Sequence, residues 1–246
     1  MRAYHRVTAL VLFSIAAGCV RQTSSAGTHY PTPATKDWHD AVNLLQSGDS
    51  TGALLDSLLV ADVATGLARI RADYPETRAM EVGPDRTYLV ITLDSAASVE
   101  ITQRAKNDYS QRTLVASYQS SSIAATIDGI AHPLGVVARE FRVEDPRWVE
   151  IRLYFGRPVN VWPVAWEYRR LPHVRFAGPE IYLGGGDGIG LEIQDSILRF
   201  FFVQRWGDCP AGCLHWHATP ITYDRRTGKT HREPDVGDPY PTEPHG

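Results

Sequence analysis

The chain has 246 residues, and its 25 Lys and Arg against 28 Asp and Glu give a formal net charge of −3. That balance gives no electrostatic footprint for nucleic acid and no polybasic patch for anionic lipid, so neither is an expected partner. Once the two ends are set aside, about 210 residues remain, enough for one large domain or two small ones with ordinary cores.

Residues 1–18 read as a secretory signal peptide, with Arg2 and Arg6 ahead of an apolar run from Val7 to Ala17 and small residues before the cut. The run is too short to span a bilayer. The ending Ala16-Ala17-Gly18-Cys19 resembles the lipobox of bacterial lipoproteins, with Ala16 standing where leucine is most common. The resemblance implies that the Cys19 thiol is acylated and becomes the new N-terminus. At about 0.8 kcal/mol per buried methylene, two or more acyl chains make such an anchor stable. The expected location is therefore the bacterial cell envelope, on a membrane face. Val20 follows the cysteine where some inner-membrane lipoproteins carry aspartate, which favours the outer membrane. Beyond the signal no apolar run is long enough to cross a bilayer, so the anchor is the lipid alone.

Residues 19–36, rich in Ser, Thr and Pro, suit a flexible tether. Asp37 to Gln46 predicts an amphipathic helix with Trp38, Val42 and Leu45 at helical spacing, stopped by Gly48. Leu54, Leu55, Leu58 and Leu59 continue the helical pattern, and Val63, Leu67, Ile70 and Tyr74 form a stripe ending before Pro75. After a turn at Gly83-Pro84-Asp85, Tyr88 to Leu93 alternates as a strand with Leu89, Ile91 and Leu93 on one face. From Trp148, Val149, Ile151, Leu153 and Phe155 point one way while Glu150, Arg152 and Tyr154 point the other. Asn160 then caps a helix that carries Pro163 in its first turn and Val161, Val164, Tyr168 and Leu171 along one side. A short strand from Val174 to Ala177 follows. Past a turn at Gly184 to Gly188 come a strand to Ile193, a long apolar strand from Ile197 to Trp206 and another from Leu214 to Tyr223. The expected class is α+β, an antiparallel meander packed on helices. Its expected parts are a region 37–145, a region 146–230 and a disordered tail 231–246. Helix, Tyr74-Pro75, short strand and Gly83-Pro84 echo helix, Leu171-Pro172, short strand and Gly178-Pro179, as two similar small lobes would.

The sharpest local feature is Trp206-Gly207-Asp208-Cys209-Pro210-Ala211-Gly212-Cys213. Lying between two apolar strands, it reads as a hairpin turn in which Pro210 presets φ and Gly212 permits a left-handed angle. With Cys19 given to the lipid, Cys209 and Cys213 remain, and an even remainder in an oxidising compartment points to a disulfide. Closing so small a loop contributes about 2 kcal/mol. The competing chemistry is a zinc site. Cys209, Cys213, His215 and His217 are ligand types, alternate strand residues share a face, and His132 or His173 could complete a tetrahedron. The oxidising compartment favours the disulfide over paired thiolates, which leaves a surface metal site at His215 and His217 as the alternative.

Other constellations fall away. The glycine run at 184–190 fits G-x-G-x-x-G in no frame and precedes a strand. Asp187 lacks the alternating carboxylates of a calcium loop. No S-x-x-K or H-E-x-x-H occurs. The expectation is a chain without enzymatic activity and without a cofactor. Five of the six tryptophans (148, 162, 166, 206 and 216) fall in the second half. Packing in a core is their default role, and an exposed subset marks a binding face. Trp166, Trp206, Asp208 and Trp216 are the candidates for such a face.

The Trp-Gly-Asp-Cys-Pro-small-Gly-Cys turn, followed by His and aromatic residues, resembles one found in uncharacterised exported bacterial proteins. The likeness extends upstream through Val159-Asn160 and Leu171-Pro172-His173-Val174, covering Trp148 to Thr230. That family brings no activity with it. Leu171 to Glu180 is similar to the helix-to-strand passage of subtilisin-type propeptides, which implies protease inhibition as a further alternative. The leading expectation is a lipid-anchored binding or structural module that presents the closed hairpin to another envelope component.

Overall fold

The computed structural model describes residues 35–46, 52–83, 86–180, 187–207, 209 and 213–239. The signal, Cys19 and the tether as far as residue 34 lie outside them, as do Asp208 and most of the glycine turn.

Two helices come first. Thr35 caps α1 (Lys36–Leu44) by accepting the N–H of Trp38, and Asp56 caps α2 (Ser57–Asp73) by accepting the N–H of Leu58 at 2.9 Å. The Asp56 cap places the start of α2 later than the leucine pattern suggests. Leu54 is not helical but forms an isolated antiparallel bridge with Val159. Val60, Val63, Leu67 and Ile70 are fully buried along α2, as their three-four spacing requires. At the edge of that stripe Arg71 reaches Asp40 of α1 at 2.6 Å, the Met80 carbonyl at 2.8 Å and Asp37.

The middle of the chain builds a sheet of its own. In order come β1 (Tyr88–Leu93), α3 (Ser95–Ala105), α4 (Gln111–Gln119), α5 (Ala124–Ala131), β2 (Val136–Asp145), β3 (Trp148–Phe155), α6 (Val161–Arg169) and β4 (Val174–Gly178). The strands pair antiparallel in the order β2-β3-β1-β4. With α3, α4 and α5 together filling the first crossover, this chain and strand order elaborates the split βαβ, or ferredoxin-like, plan. Leu89, Ile91 and Leu93 of β1 and Val149, Ile151 and Leu153 of β3 share one core with Ile101, Leu114, Ile127, Val164 and Tyr168 of the helices. The expected boundary between 145 and 146 falls inside the β2–β3 hairpin, where Asp145 pairs with Trp148. No domain ends there.

Asp94 caps α3 by accepting the Ala97 N–H at 2.9 Å, and the same carboxylate meets His173 at 3.0 Å. The Ala97 N–H, helped by His173, holds the Asp94 pKa below its ordinary value. A depressed folded-state pKa contributes stability above the unfolded value of about 4 that is lost as pH falls through the folded value. Asp94→Ala is expected to cost about 1 kcal/mol at pH 7 in urea unfolding, whereas Asp94→Asn keeps the cap and loses the acid dependence.

The last stretch forms a second sheet. β5 (Gly188–Gln194), β6 (Ile197–Trp206), β7 (His215–Asp224) and β8 (Lys229–Arg232) run as an antiparallel meander, and β9 (Val236–Gly237) pairs with β7 beyond β8. The segment expected to be disordered from 231 thus completes the sheet as far as Gly237. Leu198, Phe200, Phe202, Ile221 and Tyr223 form a core with α1 and α2, and Gly66 lets α2 come close. A Cβ on Gly66 would stand 3.0 Å from Tyr223 and 3.2 Å from Phe200. Pro220 fixes the parity of the ladder. Lacking an N–H, it sits where β7 faces the gap between β8 and β9, and its carbonyl accepts from Glu233 at 2.9 Å. Odd-numbered β7 residues therefore bond to β6, and even-numbered ones face away from it.

The fold is α+β, with two antiparallel sheets and two separate cores. The echo between the lobes stops at the proline. Tyr74-Pro75 leads into a 3-10 turn and Leu171-Pro172 into β4, and the two sheets are wired differently.

Candidate functional site

The β6–β7 hairpin is long because both strands alternate apolar residues over ten positions, and its last pair is Trp206 with His215. Beyond that pair Cys209 and Cys213 lie at disulfide distance, with Cα atoms 4.0 Å apart. Gly207, at φ +75°, receives the Leu214 N–H on its carbonyl at 3.2 Å and forms the shoulder of the turn.

Cross-strand pairing decides which side each group faces. Trp206 and His215 stand on the helix side of the sheet, with stacked rings whose centroids are 5.7 Å apart. Trp216 stands on the opposite side, beside Arg205, its cross-strand partner. Val236 shares that side through its pairing with Ala218. Leu214 is 71% exposed, Trp216 47% and Val236 43%, so three large apolar side chains stand in water around one closed turn. Single exposed apolar residues are ordinary, whereas a clustered set marks a contact surface.

The segment after β8 holds this tip in shape. Asp238 accepts the Trp216 N–H at 3.2 Å and meets His215 Nδ1 at 3.3 Å, while its own N–H donates to the Trp216 carbonyl at 2.8 Å. His217 has Nδ1 2.9 Å from the Asp238 carbonyl and Nε2 3.3 Å from Asp235. Burial alone would raise the Asp235 pKa, but the hydrogen bonds from Arg232, Thr219 and His217 outweigh it and hold the carboxylate below its usual range. Gly237 has φ +102°, and a Cβ there would lie 2.5 Å from the Trp216 carbonyl and 2.9 Å from its ring. Gly237→Ala is expected to cost about 1–3 kcal/mol locally, read as faster hydrogen exchange of the Asp238 amide with the Phe200 amide unchanged.

The sequence candidates separate accordingly. Trp206 and Trp216 both lie near the tip but on opposite faces of the hairpin, and Asp208 lies outside the described residues. Trp166 is exposed on α6, in the other unit, with the Arg169 guanidinium 4.8 Å from its ring centre. His215 and His217 share a face, as strand alternation requires, but both are engaged with the 235–238 segment. His173 is occupied by Asp94, and His132 starts the 3-10 turn after α5. Among the described residues no group of three or more His, Cys, Asp or Glu is placed to hold a metal, and no helix is long and apolar enough to cross a membrane. The groove of about 500 Å³ beside Arg104, Arg112 and Ser117 is an open trough along α3 and α4.

One cluster escaped the sequence reading. Arg152, placed outward by alternation, is buried between Glu150 at 2.8 Å and Glu180 at 3.0 Å, with its guanidinium 5.2 Å from the Tyr88 ring centre. Burial would lower the Arg152 pKa, but Glu150, Tyr88 and Glu180 raise it above its ordinary value. Its donors are spent on the protein's own acids, which makes the cluster a strut across β3, β1 and the end of β4.

No family model, curated protein or solved structure matches this chain. The tip is therefore read on its chemistry alone.

Proposed function

We propose that the protein is a binding module of the bacterial envelope, anchored by lipid at Cys19 and engaging a protein partner through the tip of the β6–β7 hairpin. The observation that carries this reading is the exposure of Leu214, Trp216 and Val236 around a turn closed by Cys209 and Cys213. A closed turn loses little freedom on binding, and a tryptophan at the centre of an apolar patch is the side chain that most often carries interface energy. Trp216→Ala is expected to weaken such an interface by about 2 kcal/mol, roughly thirtyfold.

The test places a photoreactive residue at position 214 in the lipidated chain in its own envelope, with position 58 on α2, also exposed, as control. One discrete adduct from 214, absent from 58 and lost in Trp216→Ala, supports the reading. Equal labelling from both positions overturns it. Intact mass of the membrane-extracted protein reports separately on removal of 1–18, acylation and thiol state.

The zinc alternative has to compete with Asp238 for His215 Nδ1 and with the Asp238 carbonyl and Asp235 for both nitrogens of His217. Elemental analysis of purified protein is expected to find no stoichiometric metal. Zinc that disappears in His215→Ala reverses that assignment. The protease-inhibitor alternative rests only on the Leu171 to Glu180 passage, and inhibition of a subtilisin-type protease at nanomolar concentration is the result it requires.

A further inference from the structure

Sheets end in edges, and among the described residues four of the five strand edges are blunted. β2 breaks register twice, at Val136/Ala138 and Val143/Asp145, and carries alternating Arg and Glu. β4 has five residues, and Arg169 Nε donates to its Ala177 carbonyl at 2.6 Å. β8 is a four-residue basic strand, and β9 has two residues. These are the devices by which natural sheets avoid pairing with another strand: short edges, charge, bulges and covered backbone.

β5 has none of them. It pairs with β6 over seven residues without a break in register, and its sequence, Gly-Ile-Gly-Leu-Glu-Ile-Gln, holds a single charge. The ladder parity set by Pro220 carries through β6 to β5. Gly188, Gly190, Glu192 and Gln194 bond inward to β6, so the N–H and C=O of Ile189, Leu191 and Ile193 point outward. Among the described residues no backbone partner meets those outward groups.

We infer that β5 is a self-association edge, pairing antiparallel with β5 of a second copy of this chain about a two-fold axis at Leu191. The register singles out that occupant. With Leu191 opposite Leu191, Ile189 falls opposite Ile193 of the other copy, and every outward N–H and C=O on both strands gains a partner. Glu192 then lies opposite Gly190, so no like charges meet, and the absent side chain leaves room for the carboxylate. Ile193, 43% exposed in the single chain, is covered by Ile189 of the second copy on the side where Ile189 is already buried. A one-residue slip turns the bonding groups out of phase, and a two-residue slip toward the C-terminal end of β5 sets Glu192 opposite its own copy.

The test is sedimentation equilibrium of the purified full-length mature chain, with two variants. Leu191→Pro removes an outward N–H that β6 does not use, and Ile193→Lys charges an exposed position, so both leave the β5–β6 pairing intact. Circular dichroism and a thermal melt confirm that each is folded. The expected result is a concentration-dependent dimer in the natural sequence, weakened about tenfold or more by either change. A natural chain that stays monomeric at the highest concentration reached overturns the inference, as does a dimer indifferent to a folded Ile193→Lys. A strand from a different protein as the true occupant would show itself as the monomeric outcome. Because the hairpin tip is untouched by these substitutions, failure here leaves the cross-linking result at position 214 to be judged separately.

Discussion

Replacing Arg71 with alanine is expected to lower the unfolding free energy by about 3–5 kcal/mol, measured by urea denaturation at neutral pH. The side chains of Arg71 and Asp40 are 8% and 7% exposed and meet at 2.6 Å, so removal of the guanidinium strands a carboxylate away from water. Asp40 also receives the Val82 N–H at 3.3 Å, which fastens the chain after α2 to α1. Burial alone would lower the Arg71 pKa, but Asp40 and Asp37 reverse that and leave it above its ordinary value. The loss should change little with added salt, since screening acts weakly on a buried pair. Arg71→Met with Asp40→Leu should recover part of it, because the most deeply buried carboxylate is then no longer stranded, while Asp37, the Met80 carbonyl and the Val82 N–H still lose a partner. A single-variant loss under about 1 kcal/mol, the range of surface pairs, would contradict the assignment.

Phe200→Ala should cost a similar amount, about 3–5 kcal/mol, by opening a cavity in the core between α2 and the second sheet. Phe200 is fully buried and belongs to the core that contains no residue of the four-stranded sheet. The damage should therefore split the unfolding curve, with Leu67 and Ile221 amides exchanging at lower urea than those of Ile151 and Leu153. A single unchanged transition for both sets would show that the two cores melt as one. Gly66 offers a finer check. Gly66→Ala alone pushes a methyl against the Phe200 and Tyr223 rings, whereas in Phe200→Ala the same methyl enters the vacated space. The double variant should be less destabilised than the sum of the two.

What the sequence disclosed follows from how strongly each element is patterned. β3 could be read because Val149, Ile151, Leu153 and Phe155 are all buried on one side of the sheet. α6 could be read because Asn160 accepts the Trp162 N–H at 3.3 Å, and Val161, Val164 and Tyr168 are buried behind it. Residues 95–145 were opaque for the converse reason. The buried face of α3 is Ala97, Ser98, Ile101, Thr102 and Ala105, too small and polar to register as a stripe. β2 is an edge strand that buries only Phe141. The closed turn was visible in its own residues. The carboxylates that hold it, Asp235 and Asp238, were hidden in a proline-rich tail, and their contacts span some twenty residues that no local period records.

The four-stranded unit is spliced into the middle of the other. The buried residues of the first core all fall between 89 and 177, with Ala53 and the Leu54–Val159 bridge at its margin, while the unit around Phe200 needs α1 and α2 from one end of the chain and β5 to β9 from the other. As the polypeptide is made from its N-terminus, the α1–α2 pair emerges early with its leucines uncovered and waits for a sheet still more than a hundred residues away. The inserted unit can fold during that wait and bring the flanking segments within reach of each other. Maturation is thereby ordered in time: the hairpin tip is assembled last, only after nearly the whole chain has arrived.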